Sequence, residues 1–430
     1  MPQPLPPYDN KPKEKRSLIS LMGPGLVTGA SDDDPSGIAT YSQVGAQFGY
    51  GMLWTLLFSY PLMATIQEIA ARIGRVTGHG LAGNMRRHYP KPFLYGIVTL
   101  VLVANVINLG ADIGAMGGAV RLLVGGDALL YSGLFSAASL SLQALIPYHR
   151  YVKILKWLTL ALFAYVGTVF VVHVPWGEAL RRTVLPEMSL DPKRIVALVA
   201  VLGTTISPYL FFWQASEEVE ELNMNVTERR LRKDPAEAPF QLSRIRTDTY
   251  VGMGFSNLVA FFIMLSVAAT LNAKGITNIQ TSEQAAEALR PVGGPLAFWL
   301  FAAGIIGTGL LAIPVLAGSA AYAVGEALRW PVGLERKVIQ AKGFYGVMAV
   351  SILLGLAFNL VHVDPIKALF WSAVVNGVAS GPIMVVMMLM ANNKRVMGEF
   401  TIEPRHRWVG WLSTGVMITM AAAMFAFWGK

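Results

Sequence analysis

The sequence predicts an all-α integral membrane protein with eleven transmembrane helices. Ten of them form two inverted five-helix halves, one helix is extra, and helices 1 and 6 are broken at mid-membrane. Three observations predict this class. Of the 430 residues 54% are hydrophobic and only 14% charged, with a mean hydropathy of +0.49, a balance that excludes a water-soluble globular chain. The apolar residues fall in stretches of roughly 20 or more, the length that a bilayer core demands of a helix. Two of these stretches, the first and the sixth, carry polar residues, Gly and Pro at their centres. With no cysteine, disulfides, thiolate metal sites and a cysteine nucleophile are excluded as well.

Taken in order, the spans are expected at 17–47, 50–71, 93–120, 126–147, 154–175, 195–216, 247–272, 294–328, 338–360, 366–391 and 408–428. The first, third and eighth exceed a minimal span, which implies tilt or broken turns. Residues 1–16, MPQPLPPYDNKPKEKR, are rich in proline, lack an apolar segment and are expected to form a flexible cytoplasmic tail rather than a signal peptide. Residues 17–430 then form a single transmembrane domain, with 17–175 the first repeat, 195–391 the second and 408–428 the extra helix. The charged segment from Glu217 to Arg246 is expected to extend the sixth span before looping back. Its acids Glu217, Glu218, Glu220 and Glu221 are expected on a solvated helix face, offset by nearby arginines.

The formal charge of +9 would suit a nucleic-acid binder or a membrane protein with basic cytoplasmic loops. Placing the amino terminus inside puts Lys11, Lys13, Lys15 and Arg16 in the cytoplasm, then Arg72, Arg75, Arg86, Arg87 and Lys91, and in all 26 of the 35 Lys and Arg. The positive-inside rule thus accounts for the charge and leaves no case for nucleic acid. The expected location is the plasma (inner) membrane, with the carboxyl terminus on the extracellular or periplasmic side. The lipid bilayer is the surrounding medium, and no obligate protein partner is implied.

An intramembrane helix interrupted by Gly, Pro and polar residues gives up backbone hydrogen bonds that no water replaces, unless the freed backbone lines a site. The first span contains Gly29-Ala30-Ser31-Asp32-Asp33-Asp34-Pro35-Ser36-Gly37 and the sixth Gly203-Thr204-Thr205-Ile206-Ser207-Pro208-Tyr209. These spans correspond if the chain comprises two five-helix halves, and paired interruptions point to a midplane site in a transporter. Unwound carbonyls and helix carboxyl ends facing a common centre favour a cation. An aspartate at a helix centre costs about 2.5–3.5 kcal/mol, so at least one of the three is expected to be a cation ligand and the others to face a water-filled vestibule.

These residues resemble the natural resistance-associated macrophage protein (NRAMP) family of divalent-metal transporters. Gly23-Pro24-Gly25 leading to Asp34-Pro35-Ser36-Gly37, then Val44-Gly45-Ala46-Gln47-Phe48-Gly49-Tyr50, resembles the family's GPG turn, DPGN break and AGAQFGY. Ala70-Ala71-Arg72-Ile73-Gly74-Arg75-Val76-Thr77-Gly78, Asp112 in LGADIGAMGG, and Asp248-Thr249 with Asn257 are similar to further family stretches. The resemblance implies a LeuT-type inverted repeat and a transporter, not an enzyme, with no cofactor. The departures fall on ion-selecting positions. Gly37 stands where the family has an Asn ligand, and aligned on Pro208 the Ala, Met and His positions of the sixth-helix motif are Thr204, Ser207 and Tyr209. A shift of one residue brings Gly203 and Ile206 opposite Ala and Met.

Loss of the soft thioether should relax discrimination against hard Mg²⁺, which retains waters and prefers one or two carboxylates. The expected metal site is Asp34, Ser36, Gly37, Thr204, Ile206 and Ser207, with Ser31, Asp33, Gly203, Tyr209, Glu68, Asp112 and Asn376 as vestibule or supporting residues. The expected cargo is Mg²⁺, with Mn²⁺ also carried. Proton coupling is expected to be weak or absent, because, of the relay that the resemblance implies, only the third-helix acid Asp112 is kept, while its other positions here are Tyr209, Ala115, Asn105 and Ala341. Glu68 is weighed as a substitute carboxylate against a helix-bonded acid near the cytoplasmic vestibule. The six histidines, at 79, 88, 149, 173, 362 and 406, are expected at the surface or interface. The alternatives are a proton-coupled Mn²⁺/Fe²⁺ importer, a Na⁺-coupled carrier of an organic solute, a metal-sensing receptor, and an intramembrane aspartyl protease using Asp34 and Asp112.

Overall fold

The computed structural model describes residues 24–146, 158–187, 189, 191–224, 229–361 and 364–427, and these contain helices and no strand. The expected tail 1–16, the start of the first span, the start of the fifth span, His149, His362 and the last residue of the eleventh span lie outside the described residues. The first span is two helices, α1 (Pro24–Asp32) and α2 (Pro35–Phe48); the second is α3 (Trp54–Thr77), followed by a short α4 (Leu81–His88). The third and fourth are α5 (Lys91–Val124) and α6 (Ala128–Leu145), and the described part of the fifth includes α7 (Phe163–Val171). An additional helix α8 (Trp176–Val184) joins the halves. The sixth span is α9 (Pro192–Thr205) and α10 (Pro208–Met224). The remaining five are α11 (Ala238–Thr270), α12 (Ala297–Leu328), α13 (Lys342–Phe358), α14 (Pro365–Asn392) and α15 (Pro404–Ala426).

Seven segments are long and apolar enough to cross a membrane among the described residues, the broken sixth span counted as one. The other four expected spans fall short of that measure for visible reasons. α1 and α2 are each short, α3 carries Glu68, Arg72 and Arg75, and α7 and α13 have 9 and 17 residues.

Packing repeats across the two halves. α5 packs on its counterpart α12 and α3 on its counterpart α11, while α2 lies on α11 as α10 lies on α3. Two crossings need glycine, at Gly29 in one and at both Gly203 and Gly377 in the other. A Cβ at Gly29 would collide with the Gly252 carbonyl of α11, and one at Gly203 with the Ala373 carbonyl and Gly377 of α14. The first half of each broken span is therefore seated backbone to backbone on an unbroken helix, an approach that any side chain would prevent.

Two of the four acids after the second break are not on a solvated face: Glu218 and Glu220 are buried, while Glu217 and Glu221 are partly exposed. Glu218 Oε2 lies 2.7 Å from Arg244 Nη2, and Arg244 also meets Glu221 Oε2 at 3.1 Å. Glu220 accepts hydrogen bonds from the backbone N–H of Leu334 at 3.1 Å and Glu335 at 2.7 Å, and from the Tyr322 hydroxyl. The expectation failed because α10 stays packed between α3 and α12 along its length. Its acids therefore meet partners from distant parts of the chain, and buried carboxylates require such partners.

Candidate metal site

The first break is built by Asp34 and Pro35. Asp34 caps α2 in an extended conformation (φ −68°, ψ 170°), and Pro35 opens the helix, where its missing N–H costs nothing. Asp34 Oδ1 accepts from Ser36 Oγ at 2.6 Å and from the Gly37 N–H at 2.7 Å. Oδ2 accepts from Asn108 Nδ2 at 3.0 Å and from the Tyr209 hydroxyl at 3.3 Å; the same hydroxyl lies 3.2 Å from the Ser31 carbonyl. A carboxylate offers about four lone-pair positions, and here all four are addressed by protein donors. The Tyr209 bond is the longest and is shared, so it is the most readily exchanged.

Asp32 and Asp33 turn toward α11 instead. The Ser256 hydroxyl lies 2.8 Å from Asp32 Oδ2 and 3.1 Å from Asp33 Oδ1, while Asp32 Oδ1 has no partner. One hydroxyl hydrogen serves two buried carboxylates poorly, and among the described residues no basic side chain pairs with Asp32, Asp33 or Asp34. Such a cluster attracts a cation.

At the second break, α9 ends at Thr205 and Ile206 leaves helical geometry (φ −117°, ψ 63°). The Ile206 carbonyl accepts from Ser380 Oγ of α14 at 2.6 Å. Ser207 Oγ turns back on its own helix, 2.9 Å from both the Gly203 and the Thr204 carbonyl. Its one hydrogen is thereby committed, and its lone pairs are not. The two breaks meet at Gly37, where a Cβ would stand 3.2 Å from Thr204 Oγ1 and 3.4 Å from the Asp32 carbonyl.

Of the expected site residues, the structure therefore brings together Ser31, Asp34, Ser36, Gly37, Thr204 and Tyr209. Gly203 serves the crossing with Gly377 rather than a vestibule. The Ile206 side chain is in the core. Asp112 is buried beside the Ser36 backbone N–H and Asp34, and among the described residues Asn376 is buried with neither amide atom bonded. Glu68 pairs with Arg72 Nη1 at 3.5 Å and His406 Nε2 at 3.1 Å, which favours its reading as a helix-bonded acid. His406 is buried, contrary to the surface placement expected of it, because the start of α15 folds against α3. His406→Ala is expected to lower stability by about 1–3 kcal/mol through the weakened satisfaction of Glu68, with uptake unchanged; thermal unfolding beside a flux assay checks both.

Three residues that sequence reasoning missed complete the site: Asn108, Ser256 and Ser380. Only Asn108 had a legible signal, since it precedes Asp112 by four residues and so shares its helix face. Among the described residues, no three His, Asp or Glu side chains gather to hold a metal. The donors at the breaks are instead carboxylate, hydroxyl, amide and carbonyl oxygens.

A polar stripe leads away from Asp34 along α2: Ser36, Thr40, Gln43 and Gln47 share one helix face. It ends at a cavity of about 740 Å³ lined by Gln43, Gln47, Lys193, Thr277, Asn278 and Trp371, among others. Gln43 Oε1 accepts from the Ile279 N–H at 2.9 Å, tying the loop after α11 to α2 between cavity and break.

Residues 25–427 match the family model described as natural resistance-associated macrophage protein-like. The divalent metal cation transporter MntH of Deinococcus radiodurans is 24% identical over 417 residues, covering 95% of this chain and 90% of that protein. Its namesake in Klebsiella pneumoniae subsp. pneumoniae is 26% identical over 414 residues, covering 94% of each. Among solved structures, the Eremococcus coleocola manganese transporter, crystallised with an aromatic bis-isothiourea substituted compound, is alike in fold. It has a TM-score of 0.77 at 16% identity, covering 98% of this chain and 90% of that one.

Proposed function

Because the chain belongs to the natural resistance-associated macrophage protein family and is a divalent-metal transporter embedded in a membrane, we propose that Mg²⁺ is its principal cargo, with Mn²⁺ also carried and no obligatory proton coupling. The observation that carries this reading is the oxygen-only donor set where the breaks meet. Ser207 and Tyr209 occupy the positions at which the family resemblance implies a thioether and an imidazole, and Gly37, where it implies an amide, lets the Thr204 hydroxyl and the Asp32 carbonyl come close to the first break. Hard oxygen ligands with no sulfur or imidazole among them suit Mg²⁺.

Asp34 is the charged ligand, supported by the hydroxyls of Ser36, Thr204 and Ser207, with Gly37 and Ile206 bordering the ion. Ser31, Asp33, Tyr209, Asp112 and Asn376 line its approach. The ion displaces the Tyr209 hydroxyl from Asp34 Oδ2, which couples binding to the position of α10. The protein sits in the plasma membrane with its amino end in the cytoplasm and its carboxyl end outside, and 17–175 and 195–391 are the two repeats that each contribute one broken span to the site. Membrane potential supplies about 4.6 kcal/mol per 100 mV for a divalent ion, twice the single-charge figure, so uptake needs no second driving ion.

Proteoliposomes loaded with a Mg²⁺ indicator and a pH dye test the proposal. The expected result is Mg²⁺ influx without internal acidification. Mn²⁺ influx accompanied by acidification, with no Mg²⁺ signal, would overturn it in favour of a proton-coupled Mn²⁺/Fe²⁺ importer. The buried carboxyl of Asp112, set beside Asp34 at the first break, is the feature favouring that second reading.

A further inference from the structure

Asn108 is wholly buried on α5, at 0% exposure. Its Nδ2 donates to Asp34 Oδ2 at 3.0 Å, while its Oδ1 has no hydrogen-bond partner. A buried amide oxygen left in this state is destabilising by about 1–3 kcal/mol, and nothing in the surrounding helices compensates it. Asn105, one turn earlier, shares the unpartnered Oδ1 and differs in what its amide nitrogen holds: it fastens α5 to α12 through the Leu316 carbonyl at 2.9 Å and Ser319 Oγ at 2.7 Å. Asn105 is a packing amide, whereas Asn108 spends its only bond on the carboxylate at the break. Asp112, one turn later on the same face, sets a second carboxyl beside Ser36 and Asp34 at the break.

We infer that Asn108 is a direct ligand of the transported divalent cation, supplying the amide oxygen that Gly37 does not. The inference rests on the proposed cation site at Asp34. The side-chain amide is a two-faced group whose terminal torsion is soft and roughly two-fold. With no cation bound, its NH₂ faces Asp34, because two oxygens in contact would repel. With a cation between them, the preference inverts: the amide turns over and Oδ1 and Asp34 Oδ2 address the same ion. The turn requires no backbone movement. It removes one donor from a carboxylate whose four positions are otherwise filled, and it satisfies the orphaned oxygen in the same step. A neutral amide oxygen is a hard donor suited to Mg²⁺ and Mn²⁺.

The test is calorimetric titration of the full-length purified protein with MgCl₂ and with MnCl₂ at about pH 8.5, roughly four units above the free aspartate value. Thermal unfolding of each variant is followed alongside. Asn108→Ala is expected to weaken binding about tenfold, equivalent to about 1.4 kcal/mol. Asn108→Asp, which keeps an oxygen but has no NH₂, is expected to bind at least as tightly as the parent. Asn108→Ser, a second oxygen-bearing replacement, is expected to bind more tightly than Asn108→Ala. If Asn108 only orients Asp34 by donating to it, Asn108→Asp places a second negative charge beside it without a donor and binds worse than Asn108→Ala. That order, or an unchanged Kd in Asn108→Ala, overturns the inference while leaving the cation site intact. Failure of the parent protein to bind either ion, or binding that survives Asp34→Ala, removes the site reading and this inference together.

Discussion

Replacing Asp34 with alanine is expected to yield a folded protein that carries no divalent ion, with flux falling at least about 100-fold, to the background of empty liposomes. The size of the effect follows from the number of roles that meet in one side chain. Asp34 caps α2, fixes Ser36 and Gly37 beside it, and joins α5 and α10 to the first break through Asn108 and Tyr209. Loss of a cap costs about 0.5–2 kcal/mol, but removing a buried anion that lacks a basic partner offsets part of that. The fold therefore survives while the cation loses its charged ligand. Asp34→Asn separates the two effects, since it preserves shape and some hydrogen bonding but not charge. Both variants should elute as monodisperse species on size exclusion, and neither should transport. Full uptake in Asp34→Ala would remove this residue from the site.

The second large effect is a change of preference. Gly37→Asn combined with Ser207→Met is expected to shift selectivity from Mg²⁺ toward Mn²⁺ by about tenfold or more, since each 1.4 kcal/mol of differential binding is worth a factor of ten. The amide restores a side-chain oxygen and the thioether a soft donor, which favours the later metal. Space at position 37 is limited but not closed: the first added carbon would sit 3.2 Å from Thr204 Oγ1 and 3.4 Å from the Tyr41 ring, so these must yield by a few tenths of an ångström. Ser207 is the more suitable of the two candidate positions on the sixth span. Its side chain reaches only its own last helical turn, whereas the Ile206 carbonyl is held by Ser380 and its side chain is buried in the core. Competition of the two ions in a flux assay measures the shift, and an unaltered ratio would refute the argument from ligand softness.

Features that depend on neighbours in sequence were legible beforehand, and features that depend on neighbours in space were not. The interruption of both helices could be read from Asp34-Pro35 and Ser207-Pro208, because proline and its preceding residue restrict the backbone locally. The membrane class followed from composition in the same way. Asn108, Ser256 and Ser380 reach the breaks from spans three, seven and ten, and no periodicity marks which polar residue of a long apolar helix turns toward a break elsewhere. Glu218 and His406 were misplaced for the same reason. Each is polar and near a span end, yet each is covered by a helix that joins it only on folding. Gly203 reads as vestibule lining in one dimension, and it is a contact point with α14 instead.

The two glycine crossings also have a mechanical consequence. Because α1 is clamped to α11 and α9 to α14, the broken spans are levers with separate fulcra rather than parts of one rocking block. Wedging either fulcrum should then jam one face of the carrier while its opposite face keeps breathing. Solvent accessibility of single cysteines introduced into this cysteine-free chain would register such one-sided arrest directly.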